Sequence, residues 1–147
     1  MLTHVAEFYE VRFEARPPLL RGRVLRPLSG TEFTEACELL LEEARRHRCP
    51  YWLLDGRADE PVRPANVYGW LNEDFLPRVR VALGEAPYLA FVARPDFWKL
   101  LQAQAYGPLA PAQPSPAFHS NWFTGEATAL AWLDKQRKAR QRGTRLK

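Results

Sequence analysis

One stretch constrains this chain more than any other. Tyr51-Trp52-Leu53-Leu54 is an unbroken run of four large apolar residues, closed at once by Asp55-Gly56-Arg57. The run is too short for a helix and apolar on both faces, which is the pattern of a central strand covered from both sides. Its carboxyl end is a tight turn at the sheet edge where open α/β folds usually place their chemistry. A second such run, Tyr88–Ala93 after Pro87, ends at Arg94-Pro95-Asp96. The two are expected to lie side by side and point the same way.

The flanking segments supply the rest of a sheet. Phe8–Glu14 alternates, with Tyr9, Val11 and Phe13 on one face, and Pro17-Pro18 breaks it. Leu19–Leu28 reads as a second strand, with Gly22 at a position that suits a bulge. The connection between the two is too short for a crossover, so the pair should be antiparallel.

Phe33, Ala36, Cys37, Leu40, Leu41 and Ala44 then recur at helical spacing. Ser29 with Glu32, or Thr31 alone, can cap this helix, and Arg45–Arg48 suit the negative end of its dipole. A second helix is expected over about Ala65–Leu83, kinked near Glu73–Leu76 because Pro77 removes a backbone donor. Asp96 can cap a short helix over Phe97–Tyr106, and the proline-rich Gly107–Pro116 should be a loop. Ala117–Phe123 reads as a last strand. Thr124 is expected to cap a final helix with Ala127, Leu130, Ala131 and Leu133 inward.

The order β-β-α-β-α-β-α-β-α implies an α/β fold. It calls for a single mixed, mostly parallel sheet of about five strands with an antiparallel strand at one edge. Consecutive strands stepping one way, joined by right-handed crossovers, would put every helix on one face and leave the other apolar and bare. The tail of the last helix, a second subunit or a ligand should cover it. A symmetric homodimer is the favoured solution, and closure by the chain itself the alternative.

At 147 residues the chain suits one domain, residues 1–134, followed by a basic extension, 135–147. Those last thirteen residues hold seven positive charges and no negative one. Subtracting those seven from the net +4 leaves the body at −3, so the basic character belongs to the extension. Charge runs of this kind are usually solvated ends, and without interleaved aromatics no nucleic-acid binding is expected through it. No run approaches the roughly 20 apolar residues of a membrane helix. No basic leader followed by a hydrophobic core is seen, so the expected compartment is the cytoplasm. Cys37 and Cys49 fall roughly 18 Å apart along one helix at about 1.5 Å per residue, beyond disulfide reach, and should be reduced thiols.

The element order resembles the SpoIIAA-like fold of the STAS group (sulphate transporter and anti-sigma-factor antagonist domains) and its relatives among small bacterial proteins. Local phrases carry the likeness further: Trp52-Leu53-Leu54-Asp55-x-Arg57, Trp70 with Glu73–Arg78, and Phe123–Ala127 through Ala131-Trp132-Leu133. The likeness spans roughly residues 8–134. It implies a non-enzymatic module that works through a protein partner, or through a small ligand at the strand ends, with no cofactor. Antagonist members carry a phosphorylatable Ser or Thr just after the strand matching Tyr51–Asp55. Here that turn is Asp55-Gly56-Arg57-Ala58-Asp59-Glu60, with no hydroxyl before Tyr68, so the phospho-switch is not expected.

Asp55, Arg57, Arg94 and Asp96 form the one candidate ligand-binding constellation. If their strands are neighbours, two acids and two arginines share an edge where an arginine fork could hold a carboxylate or phosphate of an amphipathic anion or lipid. The plainer alternative is that the arginines pair with Asp55, Asp59 or Asp96 and that Asp96 is only a helix cap. His4, His47 and His119 belong to no spaced metal motif, and no G-x-S-x-G, Walker or G-x-G-x-x-G pattern occurs. Neither catalysis nor a metal is expected.

Overall fold

A computed structural model describes residues 2–59, 69–96 and 119–145. The helix expected over Phe97–Tyr106, the loop Gly107–Pro116 and residues 65–68 of the helix begun at Ala65 lie outside the described residues.

The protein is α/β. Strands β1 (Leu2–Val5), β2 (Tyr9–Ala15), β3 (Pro18–Val24), β4 (Tyr51–Asp55), β5 (Tyr88–Val92) and β6 (His119–Phe123) form one sheet in sequential order. β1, β2 and β3 pair antiparallel, and β3 through β6 are parallel. The two apolar runs are therefore parallel neighbours, in register from Tyr51 against Tyr88 to Asp55 against Val92. The sheet holds one strand more than the sequence pattern suggested. β1 carries only four residues, Leu2–Val5, too few to show an alternation.

Helix α1 (Gly30–His47) starts on the full capping box of Ser29 and Glu32, and ends at Arg48 in the left-handed region, φ 50°. A π-helical turn, Leu71–Phe75, then leads into α2 (Leu76–Leu83), and the Leu76 amide reaches back to the Leu71 carbonyl. This is the break that Pro77 demanded. The wider turn restarts the helix one residue before the proline, so its missing donor falls in a first turn that needs none. Gly84, at φ 74°, closes α2.

Alternation along the strands gives each face its contents. Tyr9 and Val11 of β2, Leu20 and Val24 of β3, Trp52 of β4 and Leu89 of β5 are buried on the face that carries α1 and the π turn. Trp52 meets Phe75 edge-on, and its indole N–H donates to the Cys49 carbonyl at 2.8 Å. Cys37 and Cys49 are buried and form no disulfide.

The last helix, α3 (Glu126–Arg145), lies on the other face. Its Arg137 sits 4.6 Å over the Tyr51 ring and donates to the Pro18 carbonyl, while Arg140 pairs with Glu85. Tyr51, Tyr88 and His119, in register on three strands, stack beneath it. The last helix is thus the cover, one of those expected for this face, and what is corrected is the expectation that every helix lies on the other. A crossover has a fixed hand, but α3 follows the last strand and joins it to nothing, so the crossover rule leaves it free to take the other side. The half of that face over β2 and β3 carries Glu10, Arg12, Glu14, Arg21 and Arg23 and is wet by design; Arg21 pairs there with Glu14 and with Glu126 of α3.

Two smaller expectations also shift. The inward stripe of α3 is Ala129 and Leu133, both buried, whereas Ala127 and Ala131 are exposed. The helix starts after Gly125, whose carbonyl accepts from the Ala129 amide, so Thr124 is one residue too early to cap it.

Candidate functional site

At the carboxyl ends of the strands, the face under α1 is not filled. A cavity of about 130 Å³ opens between α1, the π turn and the sheet. Leu40 comes from α1, Phe75 from the π turn, and Trp52, Leu89 and Trp122 from the strands. Each is placed by its element's period, the helix showing every third or fourth residue and the strands every second. The lining is almost wholly apolar. Among the described residues its polar exceptions are Tyr9 and the Cys37 thiol at the wall and Asp55 and Asp59 at the strand ends.

The four residues singled out from sequence do come to one edge, but as closed pairs. Arg57 grips Asp55 in a fork, Nε to Oδ1 at 3.0 Å and Nη2 to Oδ2 at 2.7 Å, and its own amide donates to Oδ1 at 3.1 Å. Arg94 lies 3.6 Å from Asp96 and donates at 3.4 Å to the Asp59 carbonyl. Of the four, only Asp55 lines the cavity. For Arg57 the geometry is that of the mutual-pairing alternative, whereas Arg94 approaches Asp96 only at 3.6 Å, beyond hydrogen-bond distance.

Burial pushes the Asp55 carboxyl up, but the Arg57 hydrogen bonds and the charges of Arg57 and Arg23 outweigh it and hold it below the usual carboxylate range. Glu32, held by the Arg26 fork and the Ser29 amide, is lowered from 4.5 to about 2. Both groups are depressed in the folded chain, so the unfolded chain takes up their protons first as pH falls. Stability present above about pH 4.5 should therefore be lost progressively toward pH 2. Cys49 behaves oppositely. Burial raises its thiol from 9.0 to about 11, so a further loss is expected as pH climbs across that window. Urea midpoints against pH check both limbs, and Cys49→Val should flatten the alkaline one.

Sequence reasoning gave no special part to Tyr9 at the cavity wall, and a different one to Gly22 beside it. Tyr9 read as one more inward residue of an alternating strand. Gly22 read as a bulge, yet the register runs through it unbroken on both sides. A Cβ at Gly22 would overlap the Tyr9 hydroxyl and stand 3.0 Å from Leu40 Cδ2. Its role is clearance. A lone glycine inside a strand that must admit a neighbouring side chain was the available signal.

Among the described residues no cluster of His, Cys, Asp or Glu could hold a metal ion, and no helix is long and apolar enough to cross a membrane. Comparison with protein-family models, curated proteins and solved structures gives no match to the chain.

Proposed function

We propose that this protein is a small-ligand-binding module whose site is the apolar cavity at the strand carboxyl ends. One observation carries the reading: a concave, aromatic-walled space sits where open α/β sheets place their ligands, with few polar groups around it. Cores pack at crystal density, and a void of this size loses contacts on every wall unless something fills it. The reading is non-enzymatic. Among the described residues that line the cavity there is no histidine, serine or lysine, and the Cys49 thiol is turned away to the Tyr51 carbonyl.

The ligand differs from the amphipathic anion that the strand-end arginines suggested, because Asp55 holds Arg57 and neither arginine is among the described residues that line the cavity. Thermal denaturation against a panel of small neutral arenes, fatty acids and organic phosphates tests the reading. A true ligand adds about 2.7 kcal/mol at a hundredfold excess over its dissociation constant. Stabilisation by neutral apolar compounds supports it, and no shift with any of them removes it.

A second reading is docking to a protein partner, as the STAS resemblance implies. The sequential parallel strands joined through α1 and α2 favour it at the level of element order. It becomes the better account if the cavity binds nothing.

A further inference from the structure

The cavity also carries information about what it would select, and this inference rests on the ligand-binding reading above. We propose that Tyr9 is its recognition residue and that its ligand is a neutral single-ring aromatic ketone or close relative: one flat apolar ring bearing one oxygen that accepts a hydrogen bond.

Size comes first. About 130 Å³ is near the roughly 150 Å³ of an apolar protein cavity that admits benzene, so the space is on the scale of a single ring. Shape comes next. Trp52, Phe75, Phe91 and Trp122 on the walls present ring faces and edges, the surroundings in which an aromatic guest gains beyond its area.

Polarity then selects the oxygen. Tyr9 is only 5% exposed, and its hydroxyl is held at the wall over Gly22, where only a missing Cβ leaves room. Among the described residues that hydroxyl has no hydrogen-bond partner. Buried tyrosine hydroxyls usually have one. A carbonyl oxygen on the guest would supply it, with the phenol donating.

Charge excludes the anion. Burial, and after it the charges of Cys37, Asp55 and Asp59, push the Tyr9 hydroxyl well above its ordinary value, so it stays a donor across the physiological range. The same carboxylates would repel a carboxylate or phosphate brought to the phenol. They are also poor counter-ions for an amine, since Arg57 holds Asp55 and the Leu28 amide donates to Asp59 at 3.0 Å.

Three compounds of nearly one shape separate the possibilities in calorimetric titrations of the full chain: acetophenone, its hydrocarbon counterpart α-methylstyrene, and benzoate. Acetophenone should bind tightest, about three- to tenfold ahead of α-methylstyrene, the span of one neutral hydrogen bond. Benzoate should be weakest. Tyr9→Phe should erase the preference for acetophenone and leave α-methylstyrene unchanged, which also shows that the variant's cavity is intact. If both neutral compounds bind alike in the wild type, or if Tyr9→Phe keeps the preference, the assignment of Tyr9 falls while the cavity remains a site. If benzoate binds best, the ligand class is wrong. Binding by none of the three overturns the inference together with the reading beneath it.

Discussion

Replacing Trp52 by alanine should cost about 3–5 kcal/mol, the largest loss expected from any single substitution here. Its side chain is fully buried in β4 at the middle of the sheet. Deleting it takes away an edge-on partner of Phe75 and a donor to the Cys49 carbonyl. It also joins the new void to a cavity that Trp52 already lines, so the walls have little to collapse onto. For a chain of this size the melting temperature should fall by roughly 10 °C. Trp52→Phe keeps the ring but loses the indole donor, and should lose distinctly less. Chemical denaturation of the two variants reads the difference.

Gly22→Ala comes second, at about 1–3 kcal/mol, the usual cost of overpacking a close contact. The effect has a named cause, which makes it separable. The added methyl would overlap the Tyr9 hydroxyl and press on Leu40. Removing the hydroxyl with Tyr9→Phe relieves the worse of those contacts. The double variant should therefore be more stable than the two single losses predict when added, by upwards of 0.5 kcal/mol, as contacting residues show in such cycles. Strict additivity would mean that Gly22 serves the strand's backbone and not the tyrosine.

Much of the fold was legible in the residues. Tyr51–Leu54 and Tyr88–Val92 announce themselves as central strands because a short run apolar on both faces has few other uses. The capping box at Ser29 and Glu32 marks the start of α1 because both partners lie within one turn. Pro77 predicted its own break. What escaped has physical reasons as well. The choice of face for α3 depends on which side of the sheet needs cover, and that is a property of the assembled sheet. The strand at Leu2–Val5 is too short for its alternation to show.

The candidate site was half legible. Sequence placed Asp55, Arg57, Arg94 and Asp96 at one edge, and the parallel register of β4 and β5 puts them there. Charge type alone could not say whether two arginines and two acids would wait for a ligand or satisfy one another. At 2.7–3.0 Å, the Arg57–Asp55 fork answers for itself. The cavity was harder to foresee, since each residue lining it has the apolar character of a core residue. Only a packing defect among such residues distinguishes a site from a core.

That defect is what the account depends on, and amide shift mapping during an acetophenone titration tests it most directly. The largest changes should cluster at Tyr9, Leu40, Phe75 and the Trp122 indole, and should saturate together. Changes scattered over the exposed side of α3, or none at millimolar acetophenone, would contradict the claim that this space is a binding site.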